Sequence, residues 1–135
     1  MIVADVDLVA YFWIEQTRSG AARRVRRRDA AWVVPPLWRT EFRAILRGHL
    51  GTGRMTPEEA RSFAEKAGAD LAGAEHDVNG AHVLRLIGET DCSAYDAEYV
   101  ALARALAVPL VTGRRALAKR FPQTAVVMED FGGGA

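Results

Sequence analysis

Three carboxylates in this 135-residue chain stand beside apolar positions instead of on polar faces: Asp5, Glu41 and Asp96. Burying an unpaired carboxylate is costly, so each needs a partner. For any one of them, a helix cap, a turn or a salt bridge would be enough. Three together, each tied to a well-patterned segment, point to a shared divalent cation. Mg²⁺ and Mn²⁺ take hard oxygen ligands, keep several waters and need only a few carboxylates. A site of that kind activates water and neutralises charge that builds up on a phosphate.

The elements that must position these acids can be read from the apolar pattern. Ile2-Val3-Ala4 runs without polar alternation, as in a strand buried on both faces, and the first strand is expected over residues 1–6. In open parallel sheets ligands collect at the carboxyl ends of strands, where Asp5 falls. Asp7 is expected to cap a short helix over 7–14, leaving Asp5 for chemistry. An arginine-rich segment reads as helical up to Asp29, and Ala31-Trp32-Val33-Val34 as a second buried strand stopped by Pro35-Pro36. A helix over about 37–50 carries Trp38, Phe42, Ile45, Leu46 and His49 on one face, with Glu41 at its edge. Thr56-Pro57-Glu58-Glu59 is a strong helix start for 56–70. The stretch 70–76 is poorly patterned, and a helix follows near 78–88. A regular helix over 94–107 has the stripe Tyr95, Tyr99, Leu102, Ala103 and Leu106. Strands over 109–112 and 124–128 flank a short basic helix, 114–120. Strands alternating with helices mean an α/β domain with a mainly parallel sheet. One domain over 1–131, with a flexible tail at 132–135, is expected.

Charge and cysteine content narrow the classes. The net charge is +1, but Arg23, Arg24, Arg26, Arg27 and Arg28 cluster, and Arg39, Arg43 and Arg47 recur every four residues. Each set is either a solvated face or a patch for a polyanion. Cys92 is the single cysteine, so there is no disulfide framework, and with His49, His76 and His82 there are too few ligands for a structural zinc site. No apolar run reaches the roughly 18 residues of a membrane span. The chain is expected to be cytoplasmic, with no membrane partner.

Taken in order, Ile2-Val3-Ala4-Asp5, Thr40-Glu41, Ser93-Ala94-Tyr95-Asp96-Ala97-Glu98-Tyr99-Val100-Ala101-Leu102-Ala103 and Pro109-Leu110-Val111-Thr112 resemble the PIN domain of VapC-type toxins. The resemblance spans essentially the whole chain, and 93–112 is its specific part. It implies a three-layer α/β/α domain with a central sheet of four or five strands. It further implies a Mg²⁺- or Mn²⁺-dependent endoribonuclease, a homodimer, and inhibition by a VapB-type antitoxin. The family's first three acids fall on Asp5, Glu41 and Asp96, as catalytic residues and metal ligands, and its polar residue two after the first acid falls on Asp7.

One position departs from the family. Where a fourth acid commonly follows the Thr by two residues, this chain has Arg114 in Thr112-Gly113-Arg114-Arg115. A guanidinium cannot ligate a metal and repels a cation nearby. Three outcomes are open. The site works on three acids while Arg114 touches a substrate phosphate, with Thr112 and Arg43 also candidates for phosphate contact or site shaping. Alternatively Asp7, or Asp91, substitutes as a ligand. Or the site is weakened, and the domain binds RNA or antitoxin without cutting. Glu98 is a poor ligand, since two residues along a helix rotate it by roughly 200° from Asp96. Asp5-Val6-Asp7 also resembles the first motif of haloacid-dehalogenase-type phosphatases, which implies Asp5 as nucleophile and Asp7 as general acid. The prolines after Val34 and the arginines after Thr112 do not suit that family. Finally, Leu8, Tyr11, Phe12 and Trp13 are too many apolar groups for one side of a short helix. They either line a groove for an antitoxin helix or pack under the 56–70 helix.

Overall fold

The structure, a computed structural model, describes residues 1–133. Strand β1 (Ile2–Ala4) lies inside the domain with all three residues buried. Successive strand side chains point to opposite faces. Ile2 and Ala4 accordingly enter one hydrophobic core, whereas Val3 enters a second. The neighbouring strands divide in the same way: Trp32 and Val111 join the first core, Val33 and Leu110 the second. A strand apolar on both sides must be covered on both sides, which is why the run shows no polar alternation.

Around β1 the sheet has the order β2-β1-β3-β4, with β2 at Trp32–Val33, β3 at Leu110–Thr112 and β4 at Ala125–Val127. Every pairing is parallel: Ile2 opposite Trp32, Val3 opposite Leu110, and Leu110 opposite Ala125. The α/β class and the parallel sheet are as expected, with four strands. The chain moves from β1 to β2 on one side, then crosses to β3 on the other. The carboxyl ends of β1 and β3 therefore flank the switch point of the sheet. Past β2, the poorly patterned segment supplies a single parallel bridge. The Val34 N–H donates to the Ala74 carbonyl (3.1 Å) and the His76 N–H to the Val34 carbonyl (2.9 Å), covering that edge.

Helix α1 (Val6–Trp13) follows β1 without a loop, and its cap is Asp5, whose side chain accepts from the Val6 N–H. The expected division of labour between Asp5 and Asp7 is thus reversed at the cap. The strand ends at Ala4, two residues short of the expected end at 6, so the helix begins at Val6 and Asp7 falls inside its first turn. Phe12 lies edge-on to Trp13 and Trp32, at centroid distances of 5.2 and 5.4 Å, and α1 packs against α2 (Ser19–Arg28), α3 (Trp38–Gly51) and α4 (Pro57–Asp70). Its aromatic side is thereby largely occupied within the domain. Thr56 and Glu59 form the reciprocal cap that their spacing predicts at α4.

On the other face, α5 (Gly80–Thr90) and α6 (Ala94–Leu106) pack together, and α7 (Arg115–Arg120) joins β3 to β4. The stripe read for α6 needs correction. Tyr95 is 63% exposed, while Ala97, Val100 and Ala101 are buried with Tyr99, Leu102 and Ala103. A helix set against both a sheet and a neighbouring helix buries more than one stripe. The fourth strand is also shorter than expected, because Met128 opens a short helix, α8 (Met128–Phe131). Of the tail expected at 132–135, Gly132 donates its N–H to the Met128 carbonyl, and residues 134 and 135 lie outside the described residues. Among the described residues no helix is long and apolar enough to cross a membrane. Cys92 is buried in the second core.

Candidate functional site

Asp5, Glu41 and Asp96 arrive at one place because three helices begin there. Asp5 caps α1, Glu41 is in the first turn of α3, and Asp96 is in the first turn of α6. A helix amino terminus carries partial positive charge, which favours carboxylates. Asp5 is 2% exposed and both of its oxygens are engaged. One accepts from the Val6 N–H at 2.8 Å. The other, Oδ2, accepts from the Thr112 hydroxyl at 2.7 Å and from Arg114 Nη2 and Nε at 3.1 and 3.3 Å. Such satisfaction is what allows a carboxylate to be buried.

Ser93 caps α6 by accepting from the Asp96 N–H (3.0 Å). The Asp96 side chain turns to Arg114 instead of completing a reciprocal cap: Oδ1 accepts from Nη2 at 2.6 Å and Oδ2 from Nη1 at 3.4 Å. Glu41 Oε1 accepts from the Tyr99 hydroxyl at 2.7 Å. Asp7 Oδ2 accepts from the Gly113 N–H at 2.9 Å, and Asp7 Oδ1 is buried with no hydrogen-bond partner among the described residues.

Burial and mutual charge set the protonation of this group. Loss of water pushes the Asp7 carboxyl up to about 7, with the Asp5 charge adding to the rise; the Gly113 N–H and Arg114 oppose it. Burial likewise raises Glu41; the Tyr99 hydrogen bond and Arg114 oppose that rise, and the charges of Asp5 and Asp96 add to it. The Tyr99 phenol is raised by burial and then by Glu41 and Asp5, so it remains a donor. Burial alone would lower Arg114, but its bonds to Asp96 and Asp5 raise it, so the guanidinium stays charged.

The structure therefore brings together Asp5, Asp7, Glu41, Asp96, Thr112 and Arg114. Arg43 is not among them. It lies two residues past Glu41, on another side of α3, and lines a groove with Leu46, Leu50, Ala60, Arg61 and Ala64 against α4. Asp91 is exposed and holds the left-handed conformation that ends α5. Tyr99 is the site residue that the apolar stripe concealed. Its signal was there, since a residue three after Asp96 shares its face, and a buried tyrosine hydroxyl needs a partner. Gly113 is the other. A Cβ there would stand 2.6 Å from Asp7 Oδ2 and 3.2 Å from Tyr11 Cε2.

The donor set suits a hard divalent cation, being carboxylate oxygens in a partly buried pocket. The place between Asp5 and Asp96 is taken by Arg114 Nη2. Among the described residues, with Arg114 so placed, no three acidic, His or Cys side chains group closely enough to hold a metal ion. Next to Asp7 opens a cavity of about 210 Å³ lined by Asp7, Ala10, Tyr11, Gln16 and Ile45. Gln16 also lines a larger one, of about 490 Å³, that reaches His49 and Arg54. No protein-family profile matches the chain, and no curated protein sequence matches it.

Proposed function

We propose that this chain is a metal-dependent endoribonuclease of the PIN-domain, VapC type, acting through Asp5, Glu41 and Asp96, with an antitoxin and a second copy of itself as partners. The observation that carries the reading is the convergence of these three acids, from three helix starts, at the switch point of a parallel sheet. Bound Mg²⁺ or Mn²⁺ would be held by these three carboxylates and would supply water activation and charge neutralisation at a phosphodiester. The protein's own groups do the rest. Thr112 and the Val6 N–H fix Asp5, and Tyr99 fixes Glu41. Arg114, nearly half exposed beside the acids, would supply a guanidinium for a phosphate. The cavities lined by Asp7 and Gln16, the larger reaching Arg54, would offer a path for the strand.

A second reading, a PIN domain that binds RNA or antitoxin without cutting, is favoured by one feature: Arg114 occupies both Asp5 and Asp96. The phosphatase reading is disfavoured, because a buried Asp5 with both oxygens engaged is a poor nucleophile.

The test is incubation of purified protein with structured RNAs in Mg²⁺, in Mn²⁺ and in EDTA, beside Asp96→Asn. Cleavage that needs metal and falls more than about 100-fold in Asp96→Asn is expected, since even residues supporting a ligand are worth 10- to 100-fold. RNA retained on the protein but intact under every condition would shift the assignment to the binding-only domain.

A further inference from the structure

We infer that Arg114 is an exchangeable counter-ion: it holds the place of the divalent cation between Asp5 and Asp96 until an RNA phosphate draws it away, so that substrate and metal load together. The inference rests on the reading of Asp5, Glu41 and Asp96 as a cation site.

Three observations carry it. First, one nitrogen, Nη2, lies 2.6 Å from Asp96 Oδ1 and 3.1 Å from Asp5 Oδ2, so two acids from different elements share one positive charge. A dication serving the same two carboxylates needs that charge gone, because like charges at such distances repel. Second, the backbone of Arg114 is held without help from its side chain. Its N–H donates to the Thr112 hydroxyl at 3.0 Å and its carbonyl accepts from the Ala118 N–H at 3.2 Å. The guanidinium can leave while β3 and α7 stay where they are. Third, the side chain is 46% exposed, makes no cap bond to α7, and bonds only to Asp5 and Asp96 among the described residues. Once displaced it reaches solvent, where a phosphodiester offers the planar, two-point partner that a guanidinium prefers.

Exchange rather than simple blockade follows from charge. Asp5 and Asp96 were paired before by one positive charge and would be paired afterwards by two. The released guanidinium is paired in turn by the phosphate, so neither side is left with a bare charge. A metal alone must strand Arg114 in water. A phosphate alone must strand Asp5, which is buried. Each ligand therefore helps the other, and linkage requires the help to be equal in both directions.

The experiment is a Mn²⁺ titration, reading free Mn²⁺ by electron paramagnetic resonance, on wild type and Arg114→Gln. Each protein is run with and without a mixed-sequence oligodeoxyribonucleotide as phosphodiester probe. Mn²⁺ bound by the oligonucleotide alone is subtracted, and folding is checked by circular dichroism. Arg114→Gln is expected to bind Mn²⁺ about tenfold more tightly than wild type, within the usual range of coupling. The oligonucleotide should tighten Mn²⁺ binding to wild type by a similar factor and leave Arg114→Gln unchanged. Equal Mn²⁺ affinity in the two proteins, with no effect of the oligonucleotide, would overturn the exchange while leaving the metal site standing. No Mn²⁺ binding by either folded protein would instead overturn the metal reading itself. The wild-type arm alone decides the matter should Arg114→Gln not fold: an oligonucleotide without effect on Mn²⁺ affinity refutes coupling.

Discussion

Asp7 shows how a single partly buried group ties stability to pH. One of its oxygens has the Gly113 N–H; the other is buried with no partner among the described residues, and burial lifts the carboxyl from 3.8 to about 7. Between those values the folded protein keeps a proton that the unfolded chain has released. The stabilising contribution is therefore complete below the unfolded pKa and is lost as pH rises through the folded one. The metal-free protein should become less resistant to urea on going from about pH 5 to about pH 8, and Asp7→Asn should flatten that slope, gaining on wild type by about 1 kcal/mol at the upper end. Chemical denaturation at several pH values measures this. An unchanged slope in the variant would place the effect elsewhere. Glu41 is raised as well, in the same sense, which keeps a residual slope in Asp7→Asn.

At the scale of elements, the site depends on how β3 turns into α7. Thr112 reaches back to Asp5, Gly113 gives its N–H to Asp7, and Arg114 spans Asp5 and Asp96, so three consecutive residues serve three acids. Gly113 is needed for the close approach of Asp7 and Tyr11. Gly113→Ala should break the Asp7 bond and cost about 1–3 kcal/mol, the usual penalty for forcing atoms into a filled space. Thermal unfolding tests it, and an unshifted midpoint would mean that Asp7 can retreat freely. Two helix starts were legible in the sequence: Thr56 with Glu59 and Ser93 ahead of the helix expected over 94–107 both lie where expected. The exchange between Asp5 and Asp7 was not legible, because each precedes an apolar residue and only the length of β1 decides which one caps. Met128 looked like strand because it extends an apolar run, and α8 is too short to show a helical period. The approach of Tyr99 to Glu41 joins residues 58 positions apart, which local pattern cannot reveal.

For the molecule as a whole, counting arginines misleads. Of the cluster over 23–28, Arg23 pairs with Glu15, and Arg28 donates to the Phe131 carbonyl. Arg26 grips Asp70 with both terminal nitrogens, at 2.6 and 3.2 Å, while lying 4.0 Å over Trp32 and 4.7 Å over Phe12. That one side chain fastens α2 to α1, β2 and the end of α4. Arg26→Ala should therefore destabilise the domain by about 2 kcal/mol, combining a two-point ion pair with two cation–π contacts. Arg26→Met, which keeps the packing, should lose about half as much. Urea midpoints within error of wild type for both would return this arginine to the solvated face that the sequence also allowed.

The hydrogen bond from Thr112 to Asp5 spans 107 positions and sits at the middle of the sheet. During synthesis the chain carries Asp5 and Glu41 long before Asp96, Thr112 and Arg114 leave the ribosome. Until then β1 lacks its β3 neighbour, and Asp5 has neither of its side-chain partners. Contacts so distant in sequence form late and slowly. The site is therefore assembled only after the chain has grown past Arg114, when Asp5 and Asp96 gain their shared partner in a single step.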